Sequence, residues 1–489
     1  MTIRFPGNDF SNFEAPMRAE IDLRALEVIQ GEVPRQLDGG FFRLIGDRKW
    51  PAFVENDIFM LGEDGMASCF YFKDGMVDFK MKYVRTPRFV AEEKAGRALF
   101  GEYRNPFTDD PSVEGLSRGT ANVTMVAHGG KLFALKEDSP AIEMNPFTLE
   151  TIGEYDWNEV VTSKAITAHP KIDPKTGELV FFGYCAAGPA TTDIAYYEAD
   201  ATGKIIHETW FHAPYTCMVH DVMVTENFVV FPVTPLRHEL EWLKRHEPAF
   251  KWDPTEQVYL GVLPRKGKGE QIRWFKGPTQ CHGHTAGAFD DGRYIYADNT
   301  FSKRSFFRFF PNADGSDFDP ADTMPYLKRV IIDMESNGDG FTEQQLFDYP
   351  CELPRIDPRF ETMPYSFVTM NLLDVPEQER IGHGFQWVAT VDVNGKKPAQ
   401  IRYAGHNCSI GEPQFVPKND TAAEGEGYVM TVVGRHEEKR SELLILDAQN
   451  INGEPVATVA LPFRLRSTGH GYWYGSRQLR GETNVIGAW

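Results

Sequence analysis

The sequence predicts an all-β fold, a seven-bladed β-propeller with a cap of helices and loops over one face. Short runs rich in β-branched and aromatic residues recur along the chain, separated by Gly, Asp, Asn and Pro, which is typical of sandwiches, barrels and propellers. A unit of strand, polar turn, strand and second turn recurs about seven times, which favours the propeller. Each unit is longer than the roughly 40–50 residues of a bare blade, and two helix-like insertions supply the excess.

The chain is expected to form one domain, residues 1–489, because no low-complexity linker divides it. Residues 1–35 are polar and irregular in pattern, and they are predicted to form an N-terminal arm. The cap is assigned to insertions near residues 87–118 and 234–250.

The two insertions contain the helix-like stretches 89–99, which is rich in Ala, Glu, Lys and Arg, and 236–246, which ends before Pro248. Between and around them lie the strand-like runs, where alternating or continuous apolar residues are bounded by turn residues. These runs include residues 67–72, 131–135, 179–183, 228–232, 257–262, 293–296, 386–391, 428–433 and 442–446.

Composition excludes several classes of protein. The formal net charge of −19 argues against binding to nucleic acid or to anionic lipid. The first residues lack a basic and then apolar leader, and no window holds 18 uninterrupted apolar residues, so we expect a cytoplasmic protein without a membrane span. The 6 cysteines are scattered without a C-x-x-C pair and are expected to be reduced. The absence of G-x-G-x-x-G and P-loop motifs argues against a nucleotide cofactor.

Two local motifs are interpreted as coincidences. Residues 115–119 match the nucleophile-elbow pattern around Ser117, but they follow an acidic loop and precede a β-rich run instead of opening a helix. Residues 333–338 resemble the start of a calcium loop, but the twelfth position is Gln344 where a glutamate is required. We therefore expect a loop at the first motif and a turn at the second.

Histidines carry the main functional signal, and the chain has 13 of them. Four lie far apart in sequence, each in or beside a short apolar or aromatic stretch: His169, His220, His284 and His470. Ligands of a local zinc finger fall within about 30 residues, so these four can meet only if a closed, radially repeating fold brings them together. The others are assigned ordinary structural roles, although His212 and His282 lie near members of this set, and His282 is expected on the same strand face as His284.

Neutral imidazoles are ligands for zinc, copper, iron and nickel. A catalytic zinc site usually has three protein ligands, and the common non-haem Fe(II) site has two histidines and a carboxylate. Four imidazoles would leave the metal charge uncompensated, so carboxylates are expected behind the rings, each orienting an imidazole through its other N–H. The candidates are the glutamates in otherwise apolar surroundings: Glu137, Glu352 and Glu412.

Over nearly its whole length the chain resembles the carotenoid cleavage oxygenase family. The matching segments are residues 83–86, 119–123, 128–137, 168–179, 219–221, 352–359 and 412–417. The resemblance implies a seven-bladed propeller with a helical cap and four axial histidines that bind Fe(2+), here His169, His220, His284 and His470. It also implies that Glu137, Glu352 and Glu412 are the carboxylates behind them. One departure is that the family's His-x-x-Asn-Ala-Tyr-Glu stands as His-Thr-Ala-Gly-Ala-Phe-Asp at residues 284–290, so the Asn and Glu are lost.

Within that family the chain looks like the bacterial lignostilbene dioxygenase branch, which cleaves 4-hydroxystilbenes. Three residues match positions of that branch: Phe59, Tyr103 and Lys136. A tyrosine hydroxyl and a lysine ammonium that converge on a phenol would favour its phenolate, because a nearby cation favours the charged form. Phe59 would stack on the stilbene ring. The resemblance further implies a homodimer.

The sequence hypothesis is therefore a non-haem Fe(II) dioxygenase that uses O2 to cleave the central C=C bond of a phenolic stilbene into two aromatic aldehydes. The nearest alternative is the same chemistry on an apocarotenoid. Two alternatives from other classes are a non-catalytic propeller that binds proteins and a zinc hydrolase built on the same histidines.

Overall fold

Seven antiparallel sheets, each of four or more strands, form the blades of a β-propeller. The computed structural model describes residues 13, 15–54, 59–307, 309–317, 319–373, 385–466 and 469–484. We number the blades I to VII in chain order. The predicted fold class, an all-β seven-bladed propeller, is confirmed.

The first four blades and a small ribbon have the following strands. Blade I contains Ile21–Leu23, Gly39–Gly46, Gly65–Lys73, Met76–Tyr83 and His470–Gly475. Blade II contains Thr124–His128, Lys131–Leu135, Ala141–Met144 and Thr151–Tyr155. Blade III contains Lys171–Ile172, Leu179–Tyr184, Asp193–Ala199 and Ile205–His212. Blade IV contains Met223–Val224, Phe228–Val233, Val258–Pro264 and Arg273–Gly277, and the ribbon pairs Leu236–Arg237 with Lys251–Trp252.

The remaining three blades complete the ring. Blade V contains Cys281–Asp290, Tyr294–Ser302, Tyr326–Asp333 and Thr342–Gln345. Blade VI contains Cys351–Arg355, Phe367–Leu372, Trp387–Asp392 and Gln400–Tyr403. Blade VII contains Val28–Gly31, Cys408–Ile410, Gln414–Pro417, Gly427–Arg435, Arg440–Asp447 and Ala457–Leu461. Inner strands from both groups of blades line a cavity along the propeller axis. Its walls include Thr124, Lys171, Thr285, Arg355, Gln414 and Tyr472.

The helices within the described residues are short, and the longest of them has 9 residues. The α-helices are α1 (Phe59–Gly62), α2 (Pro87–Ala95), α3 (Leu240–Lys244) and α4 (Ser476–Leu479). The 3-10 turns are Pro106–Thr108, Pro111–Val113, Gly269–Gln271, Pro320–Thr323 and Pro358–Phe360. In the part of the chain that the structure describes, none of the helices is long and apolar enough to cross a bilayer.

The helix predicted over 89–99 begins and ends earlier than expected, at Pro87 and Ala95. The Thr86 side chain accepts a hydrogen bond from the Phe89 backbone N–H, and proline occupies the first turn, where its missing N–H costs nothing. Gly96 ends the helix with φ of 66°, the left-handed conformation that glycine adopts most easily. The stretch predicted over 236–246 contains a strand of the ribbon and then α3.

The two insertions assigned to the cap contact each other. The Asn105 side-chain amide donates a 3.0 Å hydrogen bond to the Leu243 carbonyl of α3. The rings of Tyr103 and Phe250 lie with their centroids 6.3 Å apart. These contacts fix the Tyr103 segment against the second insertion.

In the described part of the predicted N-terminal arm, two segments are edge strands. Ile21–Leu23 pairs with Met76–Tyr83 in blade I, and Val28–Gly31 pairs with Ala457–Leu461 in blade VII. The C-terminal strand His470–Gly475 pairs with Gly39–Gly46 in blade I. Strands from both ends of the chain therefore close the ring.

Replacing Gly31 with alanine is expected to destabilise the fold at this closure. Gly31 has φ of 68°, and a Cβ there would lie 2.1 Å from the Val456 carbonyl oxygen. We expect a loss of about 2 kcal/mol or more in the free energy of unfolding, measured by urea denaturation. Gly315→Ala is the control, since Gly315 has φ of 74° and a Cβ there would meet no described atom within 4 Å. Equal losses for the two variants would contradict the steric explanation.

Candidate metal centre

All seven blades contribute one residue to a cluster on the propeller axis. Blades I and V contribute His470 and His284, which lie in their inner strands, and blades III and IV contribute His169 and His220, which lie two and three residues before theirs. Blades II, VI and VII contribute buried glutamates: Glu137, Glu352 and Glu412. The seven residues are those predicted from the sequence, and only the closed ring brings them together.

The four imidazoles pack edge to face around a common centre. The His169 ring lies 4.6 Å from His220, 5.0 Å from His284 and 4.7 Å from His470, measured between ring centroids. His284 lies 5.0 Å from His470. One ring nitrogen each of His169, His220 and His284 lie within 4.8 Å of one another, a spacing that can hold a metal ion.

Each of the three glutamates contacts the Nδ1 atom of a different ring. Glu137 Oε2 lies 2.8 Å from His220 Nδ1, and Glu352 Oε2 lies 2.6 Å from His284 Nδ1. Glu412 Oε1 lies 3.0 Å from the Nδ1 atom of His470. A carboxylate accepts a hydrogen bond, so each Nδ1 carries the proton and each Nε2 presents a lone pair.

The three carboxyls are held in the ionised form. Burial opposes ionisation of Glu137, but His220, Arg104 and the Tyr103 hydroxyl outweigh it and bring its pKa to about 2. At Glu412 the neighbouring Arg355 and His470 outweigh burial and bring the pKa to about 2. Burial also opposes ionisation of Glu352, but the His284 ring and the Thr300 hydroxyl outweigh it and lower the pKa of Glu352. These charges attract a cation to the cluster.

The arrangement of nitrogens fits a bound cation better than an empty cluster. The Nε2 atoms of His220 and His284 lie 3.1 Å apart, and both present a lone pair to the centre because their Nδ1 atoms contact carboxylates. The Nε2 atom of His169 is buried and, within the described residues, has no hydrogen-bond partner. Burial and the three neighbouring rings hold the pKa of His169 well below its usual value, so this ring is neutral and can donate its lone pair. A metal ion would satisfy all three nitrogens.

Access to the centre is greater on one side. His220 and His284 are half-buried, whereas His169 and His470 are buried. The Phe307 ring borders the same side, with its centroid 5.7 Å from that of His220 in an edge-to-face contact. Phe307 itself packs at 4.2 Å against Phe306. The Phe306 and Phe307 rings therefore form an aromatic surface beside His220.

Thr300 and Tyr365 supply hydrogen bonds around His284, where the chain departs from the family motif. The Thr300 hydroxyl accepts from the His284 backbone N–H at 2.9 Å and donates to Glu352 at 2.6 Å. A Cβ on Gly287 would lie 2.6 Å from Ile356 and 2.8 Å from Tyr365, so a larger residue there would require these side chains to move. The Tyr365 hydroxyl lies 3.1 Å from the Gly287 carbonyl. The position of the lost asparagine is thus occupied by neighbouring side chains.

His282 is directed away from the cluster, because its Nε2 lies 3.2 Å from Asn299 Oδ1. The register shifts between His282 and Thr285, and this irregularity breaks the alternation that predicted a shared face for His282 and His284. His212 lies at a strand end, 3.2 Å from the Thr192 hydroxyl. Among the histidines given structural roles, His383 lies outside the described residues.

Tyr103 and Lys136 are both buried beside the cluster. The Tyr103 hydroxyl donates to Glu137 Oε1 at 2.9 Å. The Lys136 Nζ lies 4.8 Å from the Tyr103 ring centroid and donates to the Thr120 hydroxyl at 2.9 Å and to the Leu61 carbonyl. The two predicted substrate residues are therefore neighbours, and Tyr103 is linked through Glu137 to His220.

Phe59 begins α1, the helix that carries Leu61, but its side chain lies outside the described residues. Its stacking role stays a prediction. Sequence reasoning missed two further residues beside the cluster, Arg104 and Phe307. The signals for them were an arginine next to Tyr103 and the aromatic run at residues 306–310.

Glu352→Gln is expected to weaken metal binding by about 10- to 100-fold, because the substitution removes the charge that orients and polarises His284. The amide retains the shape of the carboxylate, so the fold should persist. Metal affinity measured by competition with a chelator checks this expectation. Glu442→Gln is the matched control, since Glu442 is buried but pairs with Arg435 and Arg440. Equal metal affinities in the two variants would contradict the role of Glu352.

Comparison with known proteins gives consistent matches. The family model of the retinal pigment epithelial membrane protein, RPE65, matches residues 14–475. Isoeugenol monooxygenase of Pseudomonas putida is 43% identical over 468 residues, which cover 94% of this chain and 96% of that protein. Lignostilbene-alpha,beta-dioxygenase isozyme III of Sphingomonas paucimobilis is 41% identical over 483 residues, covering 95% and 96%.

A solved structure has the same architecture. The crystal structure of Pseudomonas brassicacearum lignostilbene dioxygenase superposes with a TM-score of 0.93 at 37% sequence identity. The match covers 97% of this chain and 100% of that one. The likeness therefore extends over the blades and the insertions alike.

Proposed function

Because the chain belongs to the family of the retinal pigment epithelial membrane protein and the carotenoid cleavage oxygenases, we propose that it is an Fe(II)-dependent dioxygenase of phenolic alkenes. Its substrate would be a 4-hydroxystilbene, whose central C=C bond it splits with O2 into two aromatic aldehydes. The observation that carries the proposal is the cluster of four imidazoles, three of them backed by ionised carboxylates, with Tyr103 and Lys136 beside it.

Two sets of side chains have different roles at the metal. His169, His220, His284 and His470 would hold the iron, and iron bound by neutral imidazoles supplies the activation of O2. Three glutamates keep the Nδ1 atoms of their rings protonated, so the Nε2 atoms point to the centre.

Substrate orientation is assigned to the residues beside His220. Tyr103 and Lys136 would bind the phenolic oxygen, and the ammonium favours electron density on that oxygen. The Phe307 ring borders the accessible side of the centre and offers an apolar surface to the alkene. Together these groups would hold the double bond beside the four histidines and keep water away from it.

A phenylpropene is the second candidate substrate, because the 43% identical relative is named isoeugenol monooxygenase. Isoeugenol shares with a hydroxystilbene the phenolic ring and the conjugated double bond, and it has a methyl group in place of the second ring. The same phenol site would serve both. Comparison of kcat/KM for isoeugenol and a 4-hydroxystilbene separates the two candidates.

The decisive experiment combines product analysis with metal analysis. Cleavage of a 4-hydroxystilbene under labelled O2 should give two aldehydes that both carry label when exchange with water is limited. Aldehydes without label would show that dioxygenation is wrong. Pure protein should contain iron at about one atom per chain. Zinc at full occupancy together with no O2 uptake would favour the hydrolase alternative and end the oxygenase proposal.

Three further properties remain proposals. An apocarotenoid could occupy the same centre, and turnover of a non-phenolic polyene tests this. A cytoplasmic location is proposed, and fractionation of cells that express the full chain tests it. The homodimer implied by the stilbene branch is tested by analytical ultracentrifugation.

A further inference from the structure

Arg104 bridges the two halves of the candidate phenol site. Its Nε donates to the Tyr103 hydroxyl oxygen at 3.2 Å, and its Nη2 donates to the Glu137 carbonyl at 2.6 Å. The guanidinium carbon also lies 4.3 Å from the ring centroid of Tyr184. One rigid group therefore contacts the loop that carries Tyr103 and the segment that carries Lys136 and Glu137.

The donors of Arg104 constrain the Tyr103 hydroxyl. A guanidinium is only a donor, so it must contact a lone pair of the hydroxyl oxygen. The phenolic proton of Tyr103 is then directed to Glu137, as observed at 2.9 Å. Arg104 has φ of 56°, a backbone region that few residues other than glycine adopt. The surrounding contacts thus hold this residue in one arrangement.

We propose that Arg104 is a positioning residue that fixes the Tyr103 hydroxyl relative to Lys136, so that the two side chains recognise a phenolic hydroxyl as a pair. The inference deepens the proposed function and rests on it. Arg104 acts through Tyr103, so its loss should matter only for ligands that use the phenol site. A stilbene without a hydroxyl group should be insensitive to Arg104 except through the general fold.

The test measures binding without turnover. Iron-loaded protein is titrated under anaerobic conditions with 4-hydroxystilbene and with unsubstituted stilbene, and the ratio of the two Kd values gives the hydroxyl preference. Arg104→Met should reduce that preference by about 10-fold, the effect of one hydrogen bond in a buried site. Arg104→Lys should give an intermediate value. Combining Arg104→Met with Tyr103→Phe should reduce the preference no further than Tyr103→Phe alone.

Arg118→Met is the matched control. Arg118 lies in the same insertion and donates to Asp109 and to the backbone carbonyls of Glu102 and Asn105. Its loss should weaken both ligands together and leave the hydroxyl preference unchanged.

The outcomes distinguish a failure of the proposed function from a failure of the role proposed for Arg104. If the wild type shows no hydroxyl preference, the proposed function is overturned and the role of Arg104 with it. If the wild type has the preference and Arg104→Met keeps it, only the role of Arg104 is overturned. Additive losses in the double variant would also overturn that role. Should Arg104→Met fail to fold, Arg104→Lys decides, since an unchanged preference there contradicts the proposal.

Discussion

Replacing His169 with alanine is expected to abolish both metal binding and alkene cleavage. His169 contacts the rings of all three other histidines, at centroid distances between 4.6 and 5.0 Å. Its Nε2 atom is buried, and the described residues provide no hydrogen-bond partner for it. A buried nitrogen in this position is best explained as a ligand. Loss of an outer partner typically costs 10- to 100-fold in affinity, so loss of a ligand should cost about 1000-fold or more.

Iron content and turnover of the purified variant, measured together, check this expectation. His282→Ala is the control, because His282 is also buried in the neighbourhood but bonds to Asn299. It should retain iron and most of the turnover. Iron content in His169→Ala equal to that of the wild type would show that His169 is not a ligand. Folding is followed by circular dichroism, so a loss of iron with a normal spectrum is attributed to the site.

The sequence was sufficient for the architecture because strand patterning and turn residues are local signals. Thr86 and Gly96 are ordinary capping residues, so the boundaries of α2 could have been predicted from the sequence. The predicted helix extended past Gly96 because the prediction relied on the composition of the stretch. The edge strand Val28–Gly31 was missed because its partner strand, Ala457–Leu461, comes from the other end of the chain. Such pairing depends on ring closure and leaves no local pattern.

In the candidate site, too, local motifs were predictable and contacts that depend on the tertiary fold were not. The histidines and glutamates were identified through motifs that carry the family resemblance, whereas spacing alone required only that a closed fold bring them together. The irregular register after His282 was not readable, and it decides which of two nearby histidines joins the cluster. Arg104 was missed because its proposed role depends on contact with Glu137, which follows a strand of blade II and lies outside the insertion that carries Arg104. Neighbouring charges in a loop have no period that would reveal such a contact.

Lys136→Met is expected to lower turnover of a 4-hydroxystilbene by about 100-fold or more, because a site that binds a hydroxyl group loses its ligand-specific contact. The buried ammonium of Lys136 lies 4.8 Å from the Tyr103 ring, close to where the phenolic oxygen would bind. A non-phenolic polyene has no oxygen for the ammonium to contact, so its turnover should fall little. Steady-state kinetics on both substrates give the ratio that distinguishes a stilbene enzyme from an apocarotenoid enzyme.

Loss of Lys136 is also expected to destabilise the protein. This effect cancels in the ratio of the turnovers of the two substrates. Its ammonium donates to the buried Thr120 hydroxyl and to the Leu61 carbonyl, so the variant leaves both acceptors without this donor and should lose about 1–3 kcal/mol of stability. That loss affects both substrates alike. Lys131→Met is the matched control on the preceding strand, where the ammonium pairs with Glu143, and it should leave the ratio unchanged. A parallel loss of both activities in Lys136→Met would mean that Lys136 supports the fold and that phenol recognition lies elsewhere.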